Sequence, residues 1–221
     1  MLVTGDELDH AGVPAPGRVR DALGPSPPGL VDRLGGATVA LRHVPDRPAG
    51  RLDEEVEAPR AGGVGAAADV VVVTGSTSVG VTDRLRRLLT DTGARVVVDT
   101  VACRPGHPML LAELPAGGWV VGLPGNPYAA LVAARTLLGP LLAGLSGRAL
   151  GALSRMPVRG RMRTAPGLTR VVPVSWSGGD VRIVDGHGAA HLRGAAVGDA
   201  LAAIGPDWTD GDLAPLLLPA A

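Results

Sequence analysis

Four short segments of the chain combine glycine with side chains that can bind phosphate, a metal ion or an oxyanion. They are called the first to fourth glycine turns, and they cover residues 4–8, 74–80, 104–108 and 123–127. Each follows an apolar run typical of a buried strand. Ligands of α/β proteins bind at the carboxyl ends of parallel strands. We therefore expect all four turns at one edge of a sheet.

The second glycine turn has the composition of a phosphate cradle. Ser76, Thr77 and Ser78 lie between Gly75 and Gly80, so the segment offers successive backbone N–H groups together with three hydroxyls. It lacks the lysine of a P-loop and the glycine spacing of a dinucleotide fingerprint. The segment therefore indicates an oxyanion site of another kind.

Charged side chains adjoin three of these turns. Asp6, Glu7 and Asp83 are hard oxygen donors that could hold Mg²⁺ beside a phosphate. Arg104 can grip an oxyanion with two N–H groups, and His107 adds positive charge when protonated. The alternative is that Asp83 complements a helix N-terminus, that Asp6 and Glu7 are solvated, and that His107 is a turn residue.

The fourth glycine turn contains Asn126, the only asparagine of the chain. Asparagine is a preferred helix N-cap, and Pro127 suits the first helical position. Gly125 allows a ligand to approach the backbone closely. A strand, a glycine turn and a helix N-terminus form an anion-binding corner. The alternative is a capped turn that binds no ligand.

Histidine and cysteine give no sign of a metal or nucleophile site. His10, His43, His187 and His191 lack metal-ligand spacing with nearby Cys or carboxylates, so no structural zinc is expected. Cys103 is the only cysteine and follows a valine-rich run, so we expect a small buried residue. One cysteine also excludes an internal disulfide and fits a reducing compartment.

The elements that position these residues alternate between strand and helix over the first two thirds of the chain. Strands are predicted at 1–4, 38–42, 69–74, 95–101 and 119–123. Helices are predicted from Ser26 to Gly35 and at 52–58, 82–91 and 129–138. This order indicates an α/β fold with a mostly parallel sheet covered by helices on both faces.

The pattern changes near 146–148. Strand-like runs follow at 168–176, 181–184 and 212–218, with a weak helical segment at 195–203. The sequence thus predicts an α/β domain over 1–147 and a small all-β domain over 148–221.

Composition excludes several classes of partner. The formal net charge is 0, and the run Arg84–Arg87 is explained as the solvated face of a helix, so no nucleic acid is expected. No apolar run approaches the roughly 18 residues of a membrane span. Asp6, Glu7 and Asp9 make the N-terminus unlike a signal peptide. We expect a cytoplasmic protein with no membrane partner.

Taken together, the four glycine turns resemble the molybdopterin molybdenumtransferase family, the bacterial MoeA proteins and the gephyrin E domain. The resemblance continues through His-Gly-Ala-Ala-His-Leu at 187–192 and Gly-Asp-Leu at 211–213, and so covers nearly the whole chain. It implies a three-layer α/β/α, MogA-like domain followed by a small β domain. It also implies Mg²⁺-dependent conversion of adenylylated molybdopterin and molybdate into molybdenum cofactor with release of AMP, in a homodimer when full-length.

The resemblance assigns roles residue by residue. Glu7, Asp46 and Asp83 match catalytic positions, with Glu7 and Asp83 as metal ligands. The positions that match molybdopterin-binding residues are Thr4, Gly5, Asp6, Gly75, Ser76, Thr77, Ser78, Gly80, Arg104, Pro105, Gly106, His107, Pro108, Pro124, Gly125, Asn126 and Pro127.

The chain departs from the family pattern at several positions. Ser76 replaces a glycine, His107 replaces a lysine, and Leu23 follows Asp21-Ala22 where the family has asparagine. Only three residues precede Thr4, where family members have a substantial region that contributes to dimerisation and to the partner's site. We therefore expect either a short first strand or a chain that begins upstream of Met1.

Three functions remain open. The chain is a molybdenum insertase or its substrate-binding part, a fragment of a longer insertase included. Alternatively it is a non-catalytic molybdopterin-binding or carrier module. The third possibility is a phosphate-binding enzyme on the same fold, like the competence-damage-inducible group, against which the β-rich segment after Gly147 counts.

Overall fold

The run of four valines forms β5 (Val70–Thr74), which lies near the centre of a six-stranded sheet. A computed structural model describes residues 1–45, 51–57, 68–75 and 84–219 of the chain. In these residues the sheet order is β4 (Arg42–Val44), β1 (Leu2–Thr4), β5, β9 (Trp119–Leu123), β8 (Leu110–Glu113) and β6 (Arg95–Asp99).

The sheet is mixed. β4, β1, β5 and β9 run parallel, whereas β8 is antiparallel to both β9 and β6. The sequence reasoning missed β8, because the short run Leu110–Glu113 carries no alternation and no helix separates it from β9. The expectation of an α/β fold is confirmed. The described sheet is compatible with the predicted mostly parallel arrangement, since β8 alone among its six strands runs in the opposite direction.

Helices α2 (Arg51–Glu57) and α3 (Arg84–Asp91) pack on one face of this sheet. Alternate residues of β5 point to that face, so Val71 and Val73 join the same core as Leu85 and Leu89. Burial of this leucine face stabilises α3, whose eight residues would not form a stable helix alone. Helix α1 (Pro27–Arg33) begins with two prolines, as predicted.

The short first strand is fully embedded. All three residues of β1 are buried, because β4 and β5 pair with it on both sides. Beyond β1, the two-residue strands β2 (Leu8–Asp9) and β3 (Val19–Arg20) pair with each other in an arm that precedes α1. No pattern in the sequence predicted this arm.

Contacts divide the chain into two compact units that alternate along the sequence. The first unit comprises Met1–Thr100 and Pro108–Gly125, and the second comprises Val101–His107 and Asn126–Ala221. These limits differ from the predicted domains 1–147 and 148–221, which stay a prediction. The helix after Gly125 thus belongs to the second unit.

Strands of the second unit form a closed ring. The order is β12 (Asp180–Ile183), β10 (Arg155–Arg159), β14 (Leu213–Leu217), β13 (Ala200–Ile204) and β11 (Thr169–Ser177), and β11 pairs back with β12. A further strand, β7 (Cys103–Arg104), pairs with the start of β11. Val172 and Val174 fill the ring, while Val171 points to the other side and packs on Tyr128.

One continuous helix runs through α4 (Pro127–Ala133), a π-helical turn (Ala134–Leu138) and α5 (Gly139–Leu145). Pro140 has no N–H and its ring crowds the carbonyl four residues earlier. The wider turn just before it accommodates the proline without ending the helix. The predicted end near Leu138 is therefore too early.

This helix is long and apolar enough to cross a membrane by length and composition, although half of its apolar window is buried. The expectation that no apolar segment approaches this length is wrong for this helix. Apolar helices that are buried within their own protein have the same length and composition.

The weak helix predicted at 195–203 is wrong in its second half. Helix α6 (Arg193–Val197) ends before Gly198, and Ala200–Ala203 belong to β13. Cross-strand pairing on both sides of β13 overrides the helical preference of its alanines. Strand β10 was also missed.

Candidate functional site

Gly75 is the point where residues of the first, second and fourth glycine turns meet within the first unit. It follows β5 with a φ of +92°, and its N–H donates to the carbonyl of Leu123 at 3.1 Å. A Cβ at Gly75 would lie 2.8 Å from both the carbonyl oxygen and the Oγ1 of Thr4. Only glycine fits, because the position combines a left-handed φ with backbone on its open side.

The first and fourth turns complete this junction. The Thr4 hydroxyl donates to the carbonyl of Thr74 at 2.6 Å. A Cβ at Gly125 would lie 3.3 Å from the Cα of Gly75. Residues 4, 75 and 125 thus bring their backbones together at the carboxyl ends of β1, β5 and β9, as the strand directions predicted.

Glu7 lies over the first turn. Gly5 has a φ of +140°, and a Cβ there would lie 2.9 Å from the Glu7 Oε2. Both Asp6 and Glu7 are exposed, and the Asp6 carbonyl accepts a hydrogen bond from Arg18 at 2.8 Å. The Glu7 carboxylate is therefore held over glycine backbone at the end of β1, where it is open to solvent.

Thr74 carries an unpaired hydroxyl that sequence reasoning did not select. Thr74 is 1% exposed, and its Oγ1 has no hydrogen-bond partner among the described residues. A buried polar atom without a partner is uncommon and marks a position for a ligand or water. The signal available in the sequence was a threonine between four valines and Gly75.

Several predicted site residues lie outside the described residues. They are Asp46, Ser76, Thr77, Ser78, Gly80 and Asp83. Their roles stay predictions.

The first four residues of the third turn belong to the second unit. Arg104 ends β7 and is exposed, and Gly106 has a φ of +110°. His107 is exposed, and its Nδ1 donates to the carbonyl of Val101 at 2.7 Å, while Val101 N–H donates to the His107 carbonyl at 3.0 Å. Since Nδ1 carries the hydrogen, Nε2 is left to meet solvent or a ligand. Pro108 begins the part of the first unit that leads into β8.

Asn126 occupies the N-cap position of α4, but its side chain makes no cap hydrogen bond. The N–H groups of Tyr128 and Ala129 instead donate to the carbonyl of Ala189, at 2.9 and 3.2 Å. The prediction of a side-chain cap is therefore wrong. The first turn of α4 also does not offer these N–H groups to an anion, because a main-chain carbonyl of the same unit accepts both.

Residues 1–144 match the family model described as a probable molybdopterin binding domain. The chain belongs to this molybdopterin-binding family. The match covers all four glycine turns, so the resemblance inferred from them is confirmed.

Two curated relatives of this molybdopterin-binding chain are molybdopterin molybdenumtransferases. The protein of Nostoc sp. is 33% identical over 154 residues, and that of Haemophilus influenzae is 33% identical over 149 residues. The alignments cover 68% and 67% of this chain but only 34% and 35% of the relatives. The chain thus spans about a third of the length of these curated relatives.

Solved structures show the same fold at low identity. A molybdopterin biosynthesis MoeA protein of Pyrococcus horikoshii OT3 aligns with a TM-score of 0.76 at 16% identity, over 98% of this chain and 52% of that one. A molybdenum cofactor biosynthesis protein of Pyrococcus furiosus aligns with a TM-score of 0.67 at 18% identity, over 90% and 64%. These likenesses support the fold alone.

The molybdopterin-binding domain contains a histidine pair that the sequence reasoning dismissed. The side chains of His10 and His43 lie beside that of Asp21, and the potential ligand atoms of all three are within 4.8 Å of one another. The expectation that these two histidines lack a nearby carboxylate is wrong, because the fold brings together residues that are far apart in sequence.

Cys103 is 6% exposed, as expected for a small buried residue. Burial raises the pKa of its thiol, and its Sγ lies 3.5 Å from the carbonyl oxygen of Pro105. A buried thiol of this kind is a poor nucleophile.

Proposed function

We propose that the first unit binds the phosphate of molybdopterin where Thr4, Gly75 and Gly125 meet. The observation that supports this proposal most directly is the close approach of these three backbones at the ends of parallel strands. Glycine backbone lets a ligand approach closely without an intervening side chain. The unpaired Thr74 hydroxyl, buried beside Gly75, supports the same location.

In this proposal the chain acts in molybdenum cofactor biosynthesis as a molybdopterin molybdenumtransferase or as its substrate-binding part. Its substrates are adenylylated molybdopterin and molybdate, and its products are the molybdenum cofactor and AMP. Glu7, Asp46 and Asp83 are the catalytic candidates. The identity to molybdenumtransferases of two bacteria supports the reaction class.

The described part of the site suits Mg²⁺. The ion is usually held by one or two carboxylates with waters in the remaining positions. Glu7 offers an exposed carboxylate over Gly5, beside the proposed phosphate position. Glu7 would hold the ion together with Asp83, and bound Mg²⁺ would neutralise phosphate charge during cleavage of the adenylyl bond.

Arg104 and His107 are proposed to bind an oxyanion, molybdate or phosphate. Both are exposed, and the hydrogen bond of His107 Nδ1 fixes its ring. A guanidinium can bind an oxyanion with two parallel N–H groups. Histidine stands here in place of the family's lysine.

The finer structural expectations belong to the same proposal. These are the three-layer MogA-like arrangement, the small all-β C-terminal domain, assembly as a homodimer when full-length, and a cytoplasmic location without membrane partners. The chain spans about a third of the length of its curated relatives. A second candidate function is therefore retained, a molybdopterin-binding or carrier module without insertase activity.

The decisive experiment combines binding with complementation. Purified chain should bind adenylylated molybdopterin in a Mg²⁺-dependent manner, and both Glu7→Gln and Asp83→Ala should weaken the Mg²⁺-dependent part by about tenfold or more. Glu54→Gln, an exposed carboxylate on α2, is the matched control. Binding unchanged by Glu7→Gln and Asp83→Ala would contradict the metal role.

Complementation separates the two functions. Restored nitrate reductase activity in an insertase-deficient strain would establish the insertase and refute the carrier module. Binding without restored activity would favour the module.

A further inference from the structure

His10, Asp21 and His43 form a compact cluster where the arm of β2 and β3 meets strand β4. His10 follows β2, Asp21 follows β3, and His43 lies within β4. The Oδ2 of Asp21 is 3.3 Å from His10 Nδ1 and 3.9 Å from His43 Nε2. All three residues belong to the first unit.

Asp21 is held in one orientation. Its side chain is 3% exposed, and its Oδ1 accepts hydrogen bonds from Leu23 N–H at 2.9 Å and Gly24 N–H at 2.7 Å. These bonds use one oxygen and direct Oδ2 towards the two imidazoles. Gly24 leaves this space open, because a Cβ there would collide with Oδ2.

The two imidazole rings lie close together beside the same carboxylate oxygen. The ring centroids of His10 and His43 are 3.7 Å apart, with an angle of 46° between the planes. Two imidazole nitrogens and one carboxylate oxygen thus converge on one small region of the first unit.

One of the three ligand-to-ligand distances matches a tetrahedral ion, and the other two are within 4.8 Å. With metal–ligand bonds of about 2.0–2.1 Å, ligand atoms of a tetrahedral site lie about 3.3–3.4 Å apart. His10 Nδ1 and Asp21 Oδ2 already have this separation, and His43 Nε2 needs a shift of about half an ångström. Both histidines are partly exposed, at 50% and 40% of the side chain, so their rings have room to rotate.

We propose that this cluster binds a divalent transition-metal ion of the Zn²⁺ type through His10 Nδ1, Asp21 Oδ2 and His43 Nε2. Two imidazoles and one carboxylate suit Zn²⁺ and Co²⁺ better than Mg²⁺, which prefers oxygen ligands. Three protein ligands leave the fourth position to water. The two backbone N–H groups on Oδ1 supply the outer-shell support that orients a ligating carboxylate. The bound ion ties the β2–β3 arm to β4, and this proposal does not depend on the proposed molybdopterin function.

The test uses the untagged full chain, stripped with EDTA and titrated with ZnCl₂ by calorimetry. We expect one equivalent to bind with micromolar or tighter affinity. The Co²⁺-loaded protein should show the intense visible absorption of a tetrahedral ion. Zn²⁺ should also raise the Tm, because it binds the folded state.

Three variants locate the site. His10→Ala and His43→Ala should each weaken Zn²⁺ binding by more than about tenfold, and Asp21→Asn should do the same while its amide oxygen keeps the Leu23 and Gly24 bonds. His191→Ala removes an exposed histidine of the second unit and should leave Zn²⁺ binding unchanged. Far-UV circular dichroism checks that each variant folds.

The proposal is overturned by either of two results. One is an absence of stoichiometric Zn²⁺ binding at micromolar concentration, which would make the cluster a hydrogen-bonded histidine pair. The other is unchanged binding in folded His10→Ala and His43→Ala, which would place the ion elsewhere.

Discussion

Gly75 is constrained twice, by a left-handed φ and by the approach of Thr4. Gly117 shares the first constraint, with a φ of +88°, but a Cβ there would have no atom within 4 Å. Gly75→Ala and Gly117→Ala should therefore share a strain cost of about 1–2 kcal/mol. Only Gly75→Ala should also displace the first turn and abolish molybdopterin binding.

This comparison requires both stability and affinity. Urea denaturation gives the free energy of unfolding, and titration with molybdopterin gives the dissociation constant. Equal affinity in the two variants would show that the junction of Thr4, Gly75 and Gly125 does not bind the ligand.

Cys103 provides a second test at the residue scale. It is the only cysteine, it is buried, and burial raises the pKa of its thiol. We expect one thiol per chain to react with Ellman's reagent in urea at pH 8, and at least about tenfold more slowly in the native protein. Equal rates would show that the β7 segment opens readily from β11.

Helix α4 is anchored through Tyr128 rather than through its cap. The Tyr128 hydroxyl donates to the carbonyl of Val171 at 3.0 Å, and burial raises the pKa of the phenol. Tyr128→Phe should lower the free energy of unfolding by about 1 kcal/mol, since one buried hydrogen bond is lost. Tyr128→Ala should cost about 3–5 kcal/mol, because it also leaves a cavity.

A matched hydroxyl is available in Ser146, the C-cap residue of the same continuous helix. Ser146 donates to the carbonyl of Leu142 at the surface, so Ser146→Ala should change stability by less than about 0.5 kcal/mol. Urea denaturation followed by tryptophan fluorescence measures all three variants. A Tyr128→Phe cost no larger than that of Ser146→Ala would contradict the anchoring role.

The β2–β3 arm should respond to acid through Asp9. The Arg18 guanidinium, and next the Ala15 N–H, hold the pKa of Asp9 below its ordinary value. A lowered folded-state pKa stabilises the protein above the ordinary value of about 3.9, and this contribution disappears as the pH falls through the lowered one. Asp9→Asn should therefore lower Tm slightly at pH 7 and flatten its fall below pH 4.

Asp207→Asn, at an exposed site of the second unit, is the control for this pH series. Thermal unfolding between pH 3 and pH 7 makes the comparison. Parallel Tm curves for wild type and Asp9→Asn would show that the Arg18 contact contributes nothing in solution.

Elements with a strong local signal were predictable. The valine run of β5, the leucine stripe of α3 and the strand β9 appear close to their predicted limits. Elements determined by tertiary pairing were not. Strand β8 and the alanine-rich β13 are held by their neighbours on both sides, so no local pattern distinguishes them.

The candidate site divides in the same way. The turns at Gly5 and Gly75 could be predicted because left-handed backbone favours glycine. Both glycines have a positive φ in the structure. The cluster of His10, Asp21 and His43 could not be predicted, since 33 residues separate His10 from His43 and only the tertiary fold brings them together. The Ala189 contact was equally hidden, because any residue has a carbonyl.

At the scale of the whole molecule, the polypeptide passes from one unit to the other three times along the sequence. Residues 101–107 leave the first unit to add strand β7 to the second, and residues 108–125 return before α4 begins. A cut at residue 147 would separate α4 and β7 from β11 and Ala189. We therefore expect the fragment 1–147 to expose Tyr128 and to be less stable than the full chain, which limited proteolysis can measure.

The pairing of β7 with β11 also has a consequence during synthesis. Cys103 leaves the ribosome about 66 residues ahead of its partner Thr169. At about 5–20 residues per second, the two residues of β7 wait roughly 3–13 s for a neighbouring strand. Until then the nascent chain carries an unpaired strand edge and an accessible cysteine, so a chaperone or an oxidant can act on this segment during that interval.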